Sequence, residues 1–349
     1  MKTMLKAFGI IAAAAVIVFT LSCGGGGGGG GGIPNPKNPD PKTPETEPKI
    51  VIEMTAIPAG SFWMGSPLAE PNHSSNEAQL LVTLTEGFNM GKYPVTQEQY
   101  EKVMGITIEE QEALSGSGTG LYGTGKDYPM YYVSWYDAVV FCNKLSVMEG
   151  FAPAYSIEGE TDTDDWIDAY GAAPKTFVPA SKWNTVEIVP GSDGYRLPTE
   201  AQWEYACRGD YPNKAAEKNT KPFGIGDGTK LTGDMANFNG RNSYDTARGG
   251  SYFDPSGTYL EKITPVGNYA AYANSYGLYD MHGNVREWCW DWYDASYPST
   301  AEDPDGAVTA NQRVIRNGQW NGWAYRSASR YCDIPGTQDY FYGFRLVRP

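Results

Sequence analysis

Nine consecutive glycines at residues 24–32 decide where this chain can fold. Glycine has no side chain to bury and loses more backbone freedom on ordering than any other residue, so a run of this length enters neither a helix nor a core. Residues 33–49 follow, rich in Pro, Lys and Glu, a composition that favours an extended, stiffer chain. Residues 23–49 are therefore expected to be a tether. No second linker of this kind and no internal repeat occurs beyond residue 50, so 50–349 is expected to be one domain.

Ahead of the glycines, residues 1–22 read as an export signal. Lys2 and Lys6 form its charged start, residues 10–19 its apolar core, and Leu21, Ser22 and Cys23 its end. The apolar run is shorter than the ~20 residues that span a membrane. A cysteine directly after such a core resembles a bacterial lipoprotein signal, although Thr20 stands where Leu is usual. That resemblance implies a lipid on Cys23 and membrane attachment through the lipid anchor only. Gly24 offers no acidic retention signal, so the expected location is the cell surface, in a bacterial outer membrane. Ordinary secretion with an incidental Cys23 is the alternative.

The formal charge of -14 argues against nucleic acid as a partner, since an acidic chain repels phosphate backbones. Hydrophobic residues at 41% and aromatics at 13% suit a globular domain. Cys142, Cys207, Cys289 and Cys332 show no CxxC spacing and read as small buried hydrophobes, with a disulfide left open. His73 and His282 are too few for a histidine-based metal or nucleophile site. The run GSGTG at 116–120 lacks the lysine of a phosphate loop and reads as flexible. Asp162, Asp164 and Asp165 read as a solvated acidic loop.

Three helices can be placed. Thr96 to Gln99 form a capping box with Gly105 as the stop. Ser134 opens a second helix, whose Ala138, Phe141, Cys142 and Leu145 share one apolar face. Thr199 opens a third, between Pro198 and Gly209. The rest is short strands and many Gly, Pro and Asn turns, so the fold class is α+β with high loop content. Arg196 and Glu200 are expected to form an internal ion pair, and Trp288, Trp290 and Trp292 to anchor a core.

Six segments occur together: IPAGSFWMGS at 57–66, GKYPVTQEQY at 91–100, YYVSWYDAVVFCNKLS at 131–146, YRLPTEAQWEYACRG at 195–209, NSYGLYDMHGNVREWCWDWYD at 274–294, and GFRLVRP at 343–349. In this order they resemble the formylglycine-generating-enzyme (sulfatase-modifying factor) family, across about 50–349. The resemblance implies a loop-rich elaboration of the C-type lectin fold. It also implies a site to look for, because the family's oxidase uses two C-terminal cysteines. The first would follow a GGSW-like turn, where this chain has Gly322; the second aligns with Trp323 to Tyr325. Cys332 stands alone. No catalytic residue and no redox cofactor are therefore expected. The family's Ca2+ site carries over onto the side chains of Asp280 and Glu287 and the carbonyls of Gly283 and Val285, a hard oxygen set suited to a structural Ca2+.

Residues 313–349 remain. A frame, RVIRNGQW in front and GFRLVRP behind, encloses a middle rich in Tyr, Trp, Asn, Ser, Asp and Gly. This layout resembles the variable proteins of diversity-generating retroelements, in which adenine replacement at AAC-type codons yields residues such as Tyr, Ser, Asp, Gly, Ile, Phe and Cys. The candidate ligand-binding residues are Asn321, Gly322, Trp323, Tyr325, Ser329, Tyr331, Cys332, Asp333, Ile334, Asp339, Tyr340, Phe341 and Tyr342. Trp320, Arg326, Ala328, Arg330, Pro335, Gly343, Phe344 and Arg345 would stay fixed. Tyr and Trp offer wide contact at low conformational cost, and Ser, Gly and Asn adaptable hydrogen bonds. The expectation is a non-catalytic surface lipoprotein that binds a protein or glycan on another cell or a host surface. An exported enzyme or maturation factor is the alternative, and for the tyrosines a place in the core of a final hairpin.

Overall fold

The computed structural model describes residues 50–209, 220–297 and 301–349. The expected signal, Cys23 and the tether lie outside the described residues. From Ile50 onward the described chain forms one contact unit.

The helices are α1 (Gln97–Met104), α2 (Ile108–Ser115), α3 (Trp135–Glu149), α4 (Thr163–Tyr170) and α5 (Glu200–Arg208). α1, α3 and α5 start and stop where their caps require. Thr96, Ser134 and Thr199 each accept the backbone N–H three residues on, and the side chain there accepts theirs in return. α2 carries the same signature, Thr107 with Glu110, and ends on Gly116 at φ 71, so the 116–120 loop begins as its cap. The acidic stretch at 162–165 is not a loop: Asp162 accepts the Asp164 N–H and opens α4.

The strands are β1 (Met54–Ile57), β2 (Gly60–Met64), β3 (Leu80–Leu84), β4 (Phe88–Gly91), β5 (Tyr155–Ser156), β6 (Glu187–Ile188) and β7 (Lys230–Leu231). They continue with β8 (Asn242–Asp245), β9 (Gly250–Phe253), β10 (Arg286–Trp292), β11 (Arg313–Arg316), β12 (Tyr331–Asp333), β13 (Tyr342–Phe344) and β14 (Val347–Arg348). Two sheets organise the rest. One runs β12-β11-β10-β13, antiparallel except for the parallel β10/β13 pair; the other runs β1-β4-β14, antiparallel throughout. The last segment thus adds strands to both sheets and joins the chain's start to its end.

Short strands leave many loop carbonyls to satisfy, and buried indoles do part of that work. Trp288 donates to Val133 O at 2.8 Å and Trp135 to Cys289 O at 3.0 Å. Trp288 and Trp292 are buried as expected; Trp290 is half-buried and stacks on Tyr155 at 5.2 Å. Arg313 lies over Trp135 and Trp292 at 3.7 and 3.5 Å.

The expected Arg196–Glu200 pair does not form. Arg196 donates to Gln202 Oε1 and Leu197 O. Glu200, at the first turn of α5, instead receives a two-pronged contact from Arg330 at 2.7 Å on each oxygen, and Arg316 at 2.8 Å. Arg316 also reaches Glu204 at 2.7 Å, and Glu204 holds Arg208. Burial pushes the Glu200 carboxyl up, but Arg330 and Arg316 more than reverse this and hold it below the usual range. Proximity in sequence suggested the wrong arginine; two distant ones fit the buried carboxylate.

Glu200→Ala should strand Arg316 and Arg330 in the interior and cost about 3–5 kcal/mol in urea unfolding. Glu98→Ala removes only the exposed Glu98–Lys102 pair and should cost about 0.5 kcal/mol or less.

Candidate functional site

The 313–349 segment divides by burial largely along the line between the residues expected to stay fixed and those expected to contact a ligand. All eight residues expected to stay fixed are buried: Trp320, Arg326, Ala328, Arg330, Pro335, Gly343, Phe344 and Arg345. Each has a reason. Arg326 bridges Glu70 at 2.6 Å and Glu77 at 2.8 Å. Arg330 holds Glu200, and Arg345 clasps Glu287 at 3.1 and 3.0 Å. Phe344 packs edge-on against Phe141 at 5.1 Å. Gly343 has Met130 O 2.5 Å from where a Cβ would stand.

Of the thirteen expected contact residues, ten reach the surface at least in part. Trp323 is the most open, at 58%. Asn321, Ser329, Tyr331, Cys332, Asp333, Ile334, Asp339, Tyr340 and Phe341 are half-buried. The other three are corrections. Gly322, Tyr325 and Tyr342 are buried, because the segment folds back on itself. Tyr342 meets Trp288 edge-on at 5.1 Å, and its hydroxyl donates to Asp333 at 2.9 Å. The Tyr325 ring covers Gly318 and Gly322, where an added Cβ would stand 2.1 and 2.6 Å from ring carbons.

Several of these side chains are linked into a wall. Asn321 donates to the Tyr340 hydroxyl at 3.2 Å. Tyr340 meets Phe341 edge-on at 4.7 Å, and Tyr331 meets Tyr325 at 5.2 Å. Between the two pairs lies Arg286, the first residue of β10. Its guanidinium sits 4.0 Å from the Tyr331 ring centre, 5.3 Å from Phe341 and 5.4 Å from Tyr325, and it donates to the Tyr325 hydroxyl at 3.2 Å. Sequence reasoning missed Arg286 as part of this surface, because its ring partners at 325, 331 and 341 come near only in the folded chain. Tyr122 was missed too, and it packs on Trp320 at 4.8 Å and Tyr340 at 4.9 Å. Beside the wall opens a cavity of about 340 Å³, lined by Trp323, Tyr331 and Ser329 on one side and Asn72, Ser74 and Ser251 on the other.

The cysteines sit apart from this wall's centre. Cys142, Cys207 and Cys289 are buried and free. Burial pushes the Cys207 thiol up to about 12 and raises the Cys142 and Cys289 thiols as well. Cys332 is half-buried on β12, with Gln312 Oε1 at 3.4 Å, and burial raises it as well. Position 322 holds a glycine packed under a tyrosine ring.

The expected Ca2+ ligands do not fit the ion. Both Glu287 oxygens are taken, Oε1 by Arg345 and Oε2 by Arg345 and the Trp203 indole at 2.7 Å. Asp280 accepts the Gly267 N–H at 2.7 Å; burial raises its carboxyl to about 6 despite that bond. The Gly283 and Val285 carbonyls do converge, but on the side-chain amide of Asn317, at 2.9 Å each.

Residues 40–349 match the sulfatase-modifying factor enzyme 1-like domain. The chain is similar to the Chaperone protein LppX of Paenibacillus barcinonensis, at 35% identity over 68% of this chain and 71% of that one. It is similar to the formylglycine-generating enzyme of Thermomonospora curvata, at 28% identity over 87% of this chain and 96% of that enzyme. Among solved structures, Treponema denticola variable protein 1 superposes with a TM-score of 0.63 at 26% identity, covering 87% of this chain and 98% of that one.

Positions 322 and 325 should be coupled. Gly322→Ala should cost about 1–3 kcal/mol by pressing on the Tyr325 ring. The same change made with Tyr325→Ser should cost markedly less, which a double-mutant cycle by urea unfolding will read.

Proposed function

Since the chain belongs to the sulfatase-modifying factor enzyme 1-like family, we propose that it uses the family's loop-rich α+β, C-type-lectin-like fold as a non-catalytic scaffold for ligand binding. The contact residues are those between 321 and 342 that reach the surface, and they are replaceable. One observation carries this reading: the residues expected to stay fixed are buried in ion pairs and core, whereas ten of the thirteen others reach the surface at least in part, Trp323, Tyr331, Tyr340 and Phe341 among them. A segment built for one fixed purpose has no cause to divide that way. The likeness to Treponema denticola variable protein 1 supports the same reading.

The wall suits a protein or glycan partner on another cell or a host surface. Its tyrosines combine a broad apolar face with a hydrogen-bonding tip, and half-burial holds them in place before contact. A central aromatic anchor contributes about 2 kcal/mol or more once a partner covers it. In this proposal Cys23 carries the lipid and the domain stands outside the outer membrane on residues 23–49. The acidic charge keeps the domain from phosphate-rich surfaces.

A second reading, an exported maturation factor, draws on the 35% identity with a protein called a chaperone. It would place function in a constant surface, not a replaceable one. Sequencing the locus across isolates separates the two. Replacements concentrated at the surface positions of 321–342, with the eight buried positions unchanged, are expected; substitutions spread evenly over 50–349 would overturn the binding proposal.

A further inference from the structure

We propose that the side-chain amide of Asn317 does in this chain what a divalent cation would otherwise do, so that the turn leading into β10 is held closed without metal. Three backbone carbonyls point at one atom. Asn317 Nδ2 lies 2.7 Å from Asp280 O, 2.9 Å from Gly283 O and 2.9 Å from Val285 O. Three carbonyl dipoles converging from one turn need positive charge at their focus; left alone they repel one another and stay unsatisfied in the interior. A cation of the Ca2+ class would sit at roughly 2.3–2.6 Å from such oxygens. The amide nitrogen already fills that place, with its two hydrogens shared among three acceptors.

The backbone is arranged to bring it there. Asn317 follows β11 with φ at 71°, in the left-handed region that asparagine enters more readily than most residues. Its Oδ1 accepts the N–H of Gly318 at 2.6 Å, which fixes the amide's orientation and leaves Nδ2 to face the carbonyls. Asp280 and Asn284, within the turn itself, also have positive φ, at 59° and 72°. This turn is therefore a strained one, kept in shape by its contacts. Asn317 is buried, and among the described residues no side-chain carboxylate completes an oxygen shell around the focus: Glu287 is committed to Arg345 and Trp203, and Asp280 accepts from Gly267. The consequence reaches the binding segment. Asn317 ties the end of β11 to the start of β10, and thereby fixes Arg286 and the first residues of the variable stretch relative to each other.

The test uses the purified full chain and calcium itself. The melting temperature of the wild type is expected to be the same in excess EGTA and in millimolar CaCl2. Asn317→Gly keeps the left-handed backbone conformation open to the chain and removes the side-chain amide, both the Nδ2 that serves the three carbonyls and the Oδ1 that accepts the Gly318 N–H. It should lower the melting temperature in EGTA by about 5 °C or more, as three buried carbonyls lose their donor. That loss supports the proposal whether or not calcium restores it; restoration adds that the emptied focus accepts the ion. A variant as stable as the wild type in EGTA would overturn it. So would a wild type that carries one calcium per chain in native mass spectrometry and loses the ion, together with stability, in EGTA, a measurement that holds even if the variant fails to fold.

Discussion

A buried set of five arginines and five glutamates holds this structure together. Glu70, Glu77, Glu200, Glu204 and Glu287 are all below 8% exposed, and so are Arg208, Arg316, Arg326, Arg330 and Arg345. A lone charge at such depth would cost several kcal/mol. Here each is met by an opposite charge, and three of the pairs, Arg326–Glu77, Arg330–Glu200 and Arg345–Glu287, have the forked geometry under which burial is tolerated. The distribution along the chain matters as much as the balance. Every glutamate lies before residue 288, whereas four of the five arginines lie in 313–349. Only Glu204 finds an arginine within the earlier chain, Arg208; Glu70, Glu77, Glu200 and Glu287 take theirs from the last segment. This explains why a loop-rich fold with short strands closes around its C-terminus, and why β13 and β14 enter two different sheets.

The same arrangement separates two jobs within a few residues of each other. Arg326 and Arg330 anchor their stretch from below together with the buried Ser327 and Ala328, which leaves Ser329 and the residues just after Arg330 free of the core. Ser329 and Tyr331 stand next to the anchors and still reach the surface. A long regular strand would alternate inward and outward with a fixed period. Here the spacing is irregular, and each inward residue has its own partner, which lets the outward ones come in uneven clusters.

Much of the fold was legible in local sequence because helix caps are local chemistry. Thr96, Ser134 and Thr199 accept hydrogen bonds from three residues away, so their signatures need no knowledge of the rest of the chain. The same signature at Thr107 and Glu110 went unread because α2 has little apolar periodicity to draw attention to it. The ion pairs were not legible. Arg196 is four residues from Glu200, but Arg330 and Arg316 are 130 and 116 residues away and win on geometry. The charge asymmetry of the final segment, six arginines against two aspartates in an otherwise acidic chain, was the available hint. Asn317 and Arg286 were hidden for a similar reason: each acts through a turn or ring that only the folded chain brings near. The exposure pattern of 321–342 was legible in outline, and Gly322, Tyr325 and Tyr342 depart from it because the segment packs against itself.

Half-burial is what makes such a wall usable. A fully exposed tyrosine must lose its rotamer freedom on binding, and that cost subtracts from the contact it makes. A fully buried one has nothing to offer a partner. Tyr331 and Phe341 lie between these limits, each resting on the Arg286 guanidinium and leaving part of the ring outward. The attraction between a cation and an aromatic face depends on the ring's charge distribution and little on which aromatic residue supplies it. Arg286 is held in β10, outside residues 321–342, so its guanidinium would support either tyrosine or phenylalanine at 331 and 341. If 321–342 is replaceable, as proposed, contacts within the segment, such as the Tyr325 ring lying over Gly322, set the limit on what can be replaced.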